Sequence, residues 1–199
     1  ANGTVINAGG GIIDFDADEN ITLGGLITTS SGNTAVTLTS TSGGIVDGGD
    51  GAVDVVAASG RLVIDAVTGV GSGAAIETTV ASLDVDNIGG GVNGNIEIIE
   101  TDAVSVIELD NDDPDDTDAA TGIISLVAGD TITIAAGGSG VVAIDGNIVL
   151  DANGTNADVV VEAAIATTLL GGVTITADDS VTFTAAGDVT AAGAGAVSV

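Results

Sequence analysis

Cysteine, histidine, lysine, methionine, tryptophan and tyrosine are all missing from this 199-residue chain, and each absence removes a chemistry. Without cysteine there is no disulfide, no thiolate nucleophile and no zinc–thiolate site, and the redox compartment stays open. Without histidine, cysteine or lysine, serine and cysteine triads, Schiff bases and phosphate-gripping lysines cannot be built. Carboxylate chemistry is what survives. Clustered aspartates on some β-helical enzymes do cut polysaccharides, but the aromatic and basic residues that hold a sugar are lacking here, so no enzyme is expected.

Cations are almost absent as well. Arg61 stands alone against 29 acidic residues, for a net charge of −28. Nucleic-acid binding draws on clustered Lys and Arg and is excluded as a partner class. Anionic membrane surfaces are disfavoured for the same reason. Membrane insertion is not expected either, because the apolar run 163–177 is shorter than the ~20 residues a spanning helix needs and holds two glycines. No signal peptide is recognisable. A chain that opens on Ala1 and contains no methionine is expected to be processed, or a segment of something longer.

Phe15 and Phe183 are the only aromatics, so the abundant Val, Ile, Ala and Leu must make the core by themselves. β-Branched and small side chains fill a narrow core rather than a wide one. Glycine, at 32 residues, is about twice its usual share of roughly 7%.

The pattern in which these residues occur is clearest from Gly172 to Val199. Apolar-x-apolar triplets start at Val173, Val181, Val189 and Val197, each eight residues after the last. Alternation with period two marks a short half-buried strand, and the Gly, Ala and Asp between triplets favour turns. A unit this short cannot bury its apolar face alone, so units must stack. The same unit recurs from Ile12 onward, with strand-like pieces at 12–15, 21–23, 26–28, 36–38, 45–47, 53–55, 62–64, 76–80, 83–85, 96–98 and 104–106. After an acidic excursion at 110–118 it resumes at 124–126, 132–134, 142–144, 148–150 and 159–161. The one stretch with any helical character is 163–170.

These observations predict an all-β fold, a right-handed parallel β-helix (β-solenoid) of short rungs, with residues 1–199 as a single segment of a longer repetitive chain or filament. The alternative, a β-sandwich or tandem Ig-like domains, asks for strands of ~5–6 residues and a core about 10 Å thick, which usually contains Trp or Tyr. Three strands per coil of roughly 20–25 residues would make eight to ten coils, a rod on the order of 40–48 Å at the ~4.8 Å strand spacing.

Residues 69–106 resemble repeats of filamentous-haemagglutinin-like exoproteins and giant autotransporter-type surface proteins. The matching features are the Gly69-Val-Gly-Ser-Gly73 lead, Ile76–Thr79, Leu83-Asp84-Val85 and the Gly94-Asn95-Ile96-Glu97-Ile98 rung. The resemblance implies a parallel β-helix serving as an extracellular or cell-surface stalk, adhesin or sheath, and it brings no catalytic residues. Partners are then further copies or a continuation of the same solenoid at both ends, since neither end carries a recognisable capping segment.

No cofactor is required on this reading, but calcium is a candidate. Carboxylates converging on a hard cation are the signature of a calcium site, and two stretches offer them. The acidic loop supplies Asp110, Asp112, Asp113, Asp115, Asp116 and Asp118 around the only proline, Pro114. Asp14, Asp16 and Asp18 fall at alternate positions, but without the glycine and glutamate that complete a loop of the EF-hand kind. Alternation of Ile13, Phe15 and Ala17 inward accounts for the same spacing. GGDGAVDVV at 48–56 nearly matches the calcium-binding nonapeptide of RTX repeats, with Asp54 one place late.

Overall fold

The computed structural model of the chain describes residues 3–49, 51–87, 89, 94–111, 122–192 and 195–199. Twenty strands follow one another in these residues, and no helix does. In the first coils they are β1 (Val5–Asn7), β2 (Ile13–Ala17), β3 (Ile21–Thr22), β4 (Gly25–Ile27), β5 (Val36–Ser40) and β6 (Ile45–Val46). The middle holds β7 (Val55–Ala66), β8 (Ile76–Asn87), β9 (Ile96–Glu100) and β10 (Val104–Asn111). Then come β11 (Ile124–Ala128), β12 (Ile132–Ile134), β13 (Gly140–Ala143), β14 (Ile148–Ala152), β15 (Val159–Val161) and β16 (Ala164–Thr167). The last coils hold β17 (Val173–Ala177), β18 (Val181–Phe183), β19 (Asp188–Ala191) and β20 (Val197–Ser198).

Every strand pairing among the described residues is parallel. Parallel neighbours cannot be joined by a tight hairpin, so each strand pairs with one a full coil away. This is a β-solenoid of about 7 turns, and the antiparallel sandwich is excluded. At ~4.8 Å per turn the rod is about 34 Å long, shorter than expected. The reason is coil length: Val36 pairs with Leu62 and Leu109 with Val141, both well beyond the shorter step from Leu62 to Leu83.

The eight-residue rhythm acquires a meaning here. Val173 pairs with Val197, Val159 with Val181, and Ile165 with Val189. Each eight-residue unit is therefore one side of a three-sided coil, and three units bring the chain back under itself. Two expected pairs of strands fuse in the middle coils: β7 and β8 run for 12 residues each. Both bend round a corner, where their register shifts between Ala57 and Arg61. Residues 163–170 contain β16, not a helical turn, because Ile165 is the inward residue of a rung stacked between Val141 and Val189.

Inside, like sits on like. Phe15, Leu38, Ile64, Val85, Leu109, Val141, Ile165 and Val189 form one column along the rod. Ile76, Ile98, Leu126, Leu150 and Ile175 form another. Apolar, mostly aliphatic side chains stacked in register contact one another from coil to coil, and they fill this narrow core without Trp, Tyr or Met.

Corners are finished by small polar residues. Asn87 and Asn111, both buried, stack with Asn87 Nδ2 donating to Asn111 Oδ1 over 2.8 Å. Asn87 also accepts from the Gly69 amide and donates to the Gly94 carbonyl, while Asn111 donates to the Gly94 and Ile123 carbonyls. The Gly69 amide, buried at the bend, is satisfied in this way by the Asn87 side chain. In the Gly69–Gly73 lead all three glycines have left-handed backbone, with φ of 122°, 64° and 90°, which explains the glycine spacing of that motif.

Candidate functional site

Outward-facing carboxylates are the groups with chemistry to offer, and the coil register decides which of them meet. Asp14 and Asp16 lie exposed on β2 with Ile13 buried between coils, as inward–outward alternation dictates. Asp18 follows in the turn and accepts hydrogen bonds from Thr41 Oγ1 (2.9 Å) and Ser42 Oγ (3.3 Å) of the next coil. These three aspartates are not gathered around a common point. Asp112, Asp113, Asp115, Asp116 and Asp118 lie outside the described residues. Asp110 is described, on β10.

Two carboxylate groups come together among the described residues, each with one oxygen per residue lying within 4.8 Å of the others. The first is Asp47, Asp54 and Glu77. Asp54 is only 3% exposed and immediately precedes β7, the strand that pairs with β8. Its Oδ2 accepts from the Glu77 amide at 3.3 Å, and its own amide donates to the Glu77 carbonyl at 2.8 Å. Burial pushes its carboxyl up to about 7, reinforced by the neighbouring Asp47 and Glu77 charges and opposed by the hydrogen bond from the Glu77 amide. One oxygen of Glu77 is also buried without a hydrogen-bond partner.

The second group is Asp86, Glu108 and Asp110. Asp65, Asp86 and Asp110 sit in register on three successive rungs, and Asp84 and Glu108 on two. Acidic residues are therefore stacked at this face, not scattered. Burial raises the Asp86 carboxyl to about 7, with Glu108, Asp110, Asp65 and Asp84 adding repulsion. The sole cation is close by but engaged: Arg61 Nη1 binds Asp84 Oδ2 at 2.9 Å. Beside the ladder lies a pocket of about 280 Å³ whose polar lining comes from Thr39, Ser40, Thr41, Asp65 and Asp86. It is small for an organic ligand and has no aromatic wall.

A third carboxylate, Glu100, is 1% exposed at the corner between β9 and β10. It accepts from Thr78 Oγ1 at 2.7 Å and from the amides of Val80 (3.1 Å) and Thr101 (3.0 Å). Burial again dominates, lifting it to about 7 despite the hydrogen bond from Thr78.

Apart from Asp110, the residues of the two groups carry no ligand motif in the sequence, though Asp54 lies inside the near-RTX nonapeptide. The signal that finds them is the coil step. Asp54 and Glu77, like Asp86 and Asp110, lie one coil apart, and that distance can be applied only once the register is known.

No protein-family model matches this chain, and no curated protein or solved structure matches it significantly. The filamentous-haemagglutinin-like resemblance of residues 69–106 thus rests on its own residues, and what the chain as a whole displays is a parallel β-solenoid of about 7 turns.

Proposed function

We propose that this chain is a structural segment of an extracellular, acidic solenoid, a stalk, adhesin or sheath whose work is to supply length and stiffness, with no catalytic activity of its own. The observation that carries the proposal is the parallel ladder that joins eighteen of the twenty strands, β1 to β20, into one sheet, so that each coil is the template for the next. The extracellular setting is drawn from the resemblance of residues 69–106. Further coils, as copies or as continuation of the same solenoid, are the partners this reading calls for. Exposed large apolar residues support it: Val5, Ile6 and Ile12 lie in the first coil, and Phe183, Val197 and Val199 in the last. Open strand edges of this kind invite further pairing, and head-to-tail contacts that do not close build filaments. Electron microscopy and light scattering at micromolar concentration test this. Rods joined end to end are expected, and a strictly monomeric particle would overturn it.

A second reading, a filament subunit stabilised by calcium, is favoured by the two carboxylate groups. Hard oxygen donors suit calcium, and the chain has no cations to spare for neutralising them. Thermal melts in chelator and in millimolar calcium at matched ionic strength decide between a bound ion and simple screening.

A further inference from the structure

Three Asn-Gly pairs occur in the sequence, at 2–3, 93–94 and 153–154, and both residues of the last are described. This pair opens the turn that leads from β14 to β15. Asn153 and Thr155 are exposed and Gly154 is half-buried. Neither the Asn153 side chain nor the Gly154 amide makes a hydrogen bond among the described residues. The ends of the pair are nevertheless held. The Asn153 amide donates to the Ala128 carbonyl at 3.0 Å, and the Gly154 carbonyl accepts from the Ala157 amide at 2.9 Å. An asparagine side-chain carbonyl lies within reach of the next residue's nitrogen, and a glycine there leaves that nitrogen unshielded and its backbone free to turn. Other described asparagines lack this combination. Asn20, Asn87, Asn95, Asn111 and Asn147 are tied down through their side chains, and none of them precedes a glycine. Asn33 and Asn156 are exposed, but Thr34 and Ala157 follow them and set a side chain beside the nitrogen.

We propose that Asn153 is a self-modifying site, deamidating through Gly154 and loosening the corner between β14 and β15 as it does so. The Gly154 nitrogen attacks Asn153 Cγ. The N–Cγ bond forms, the Cγ–Nδ2 bond breaks, and ammonia leaves carrying the Gly154 amide proton. Water then opens the cyclic imide at either carbonyl, to give aspartate or isoaspartate. Water is taken up, ammonia is lost, and nothing is oxidised or reduced. Isoaspartate runs the main chain through Cγ, so the turn becomes one carbon longer. The previous coil leaves no room for it, since even a Cβ on Gly154 would lie 1.9 Å from the Gly129 carbonyl oxygen. The lengthened turn must therefore bulge away from the stack. Either product also adds a negative charge to a turn whose Asn156 amide donates to Asp178 Oδ2 of the next coil at 2.9 Å. Bulging pulls on that bond, which ties the turn to the coil that follows.

The test is the full chain aged in mildly alkaline buffer at body temperature, then unfolded and cut with a Glu-specific protease. The fragment 109–162 carries Asn111, Asn147, Asn153 and Asn156. Its mass spectrum should show oxygen replacing NH at Asn153 ahead of the others, with isoaspartate exceeding aspartate. An Asn153 that stays intact in the folded chain, or reacts only when the chain is aged in urea, would overturn the proposal, because the fold would then be blocking ring closure. Aged protein should melt lower than fresh protein and exchange its Asn156 and Ala157 amides faster. Asn153→Gln, aged alongside, should keep its melting temperature, since the longer side chain closes a less favourable ring. Asn153→Asp adds the charge without the extra carbon and should fall between the two. Complete modification with unchanged melting and exchange would show that the corner is not loosened, and would sink that half of the proposal.

Discussion

At the scale of single residues, the solenoid depends on a few side chains that no average property identifies. Asn87 satisfies Gly69, Gly94 and Asn111 at one corner. Asn87→Ala would strand several buried polar groups, each costing ~1–3 kcal/mol, and a loss of about 2–5 kcal/mol is expected by chemical denaturation. Asn87→Asp should be worse at neutral pH, since it buries a charge and sets a carboxylate oxygen against Asn111 Oδ1 where an amide N–H now donates. Gly146 makes the same point through space alone. A methyl group there would lie 1.8 Å from the Gly122 carbonyl oxygen, with backbone and not a flexible side chain in the way. Gly146→Ala should therefore cost more than the ~1 kcal/mol spread of ordinary helix or strand propensities, and it should disturb the rungs on both sides.

Buried carboxyls make a residue-scale prediction about pH. Asp54, Asp86 and Glu100 are all raised to about 7 by burial, from ordinary values of 3.8, 3.8 and 4.5. A folded state that holds protons more tightly than the unfolded chain loses stability as pH rises. The contribution is fully present below about pH 4 and falls away as pH climbs through 7, at up to ~1.4 kcal/mol per pH unit for each group. Asp86 is more open to solvent than the other two and should contribute less than that. The melting temperature is expected to be higher at pH 5 than at pH 8, the reverse of a protein held by ionised carboxylates. A flat or rising profile over that interval would contradict the assigned environments.

At the scale of the element, the fused strands β7 and β8 are the longest of the rod and pair with each other on both sides of a corner. Leu83 lies between Leu62 and Val106 in an apolar column and is fully buried. Leu83→Ala should cost about 2–5 kcal/mol through lost contacts and the cavity left behind. Arg61, the only tryptic site, belongs to β7, where its amide bonds the Gly32 carbonyl and its side chain bonds Asp84. Native-state trypsin should leave the chain intact for as long as the coil stays closed. Rapid cleavage after Arg61 would mean that this rung opens readily.

At the scale of the whole molecule, charge and stacking oppose each other. Two unit charges ~5 Å apart in water repel by just under ~1 kcal/mol before screening, and this chain stacks Asp65, Asp86 and Asp110 on adjacent rungs. Binding of an ion to the native state alone would add roughly 2.7 kcal/mol at a hundredfold excess over Kd. A calcium-specific rise in melting temperature, absent with sodium at equal ionic strength, is expected on the second reading of function. An identical rise with both salts would assign the effect to screening.

Much of the architecture follows from composition and local order. A core of Val, Ile, Leu and Ala with two aromatics must be narrow, and triplets every eight residues must stack. Those features alone favour an all-β solenoid over a sandwich, name most inward residues, and exclude chemistry that needs His, Cys or Lys; the parallel pairing is what excludes the sandwich. What they leave open is everything that depends on coil length, because loops at the corners vary while the rungs do not. Only the register reveals that eight residues make one side of a coil, that residues 163–170 are a rung, and that Asp54 meets Glu77 and Asp86 meets Asp110. Those carboxylates are far apart along the chain and one strand spacing apart in space. Their proximity is a property of the stack, set by backbone pairing of apolar rungs that carry the acidic residues along with them.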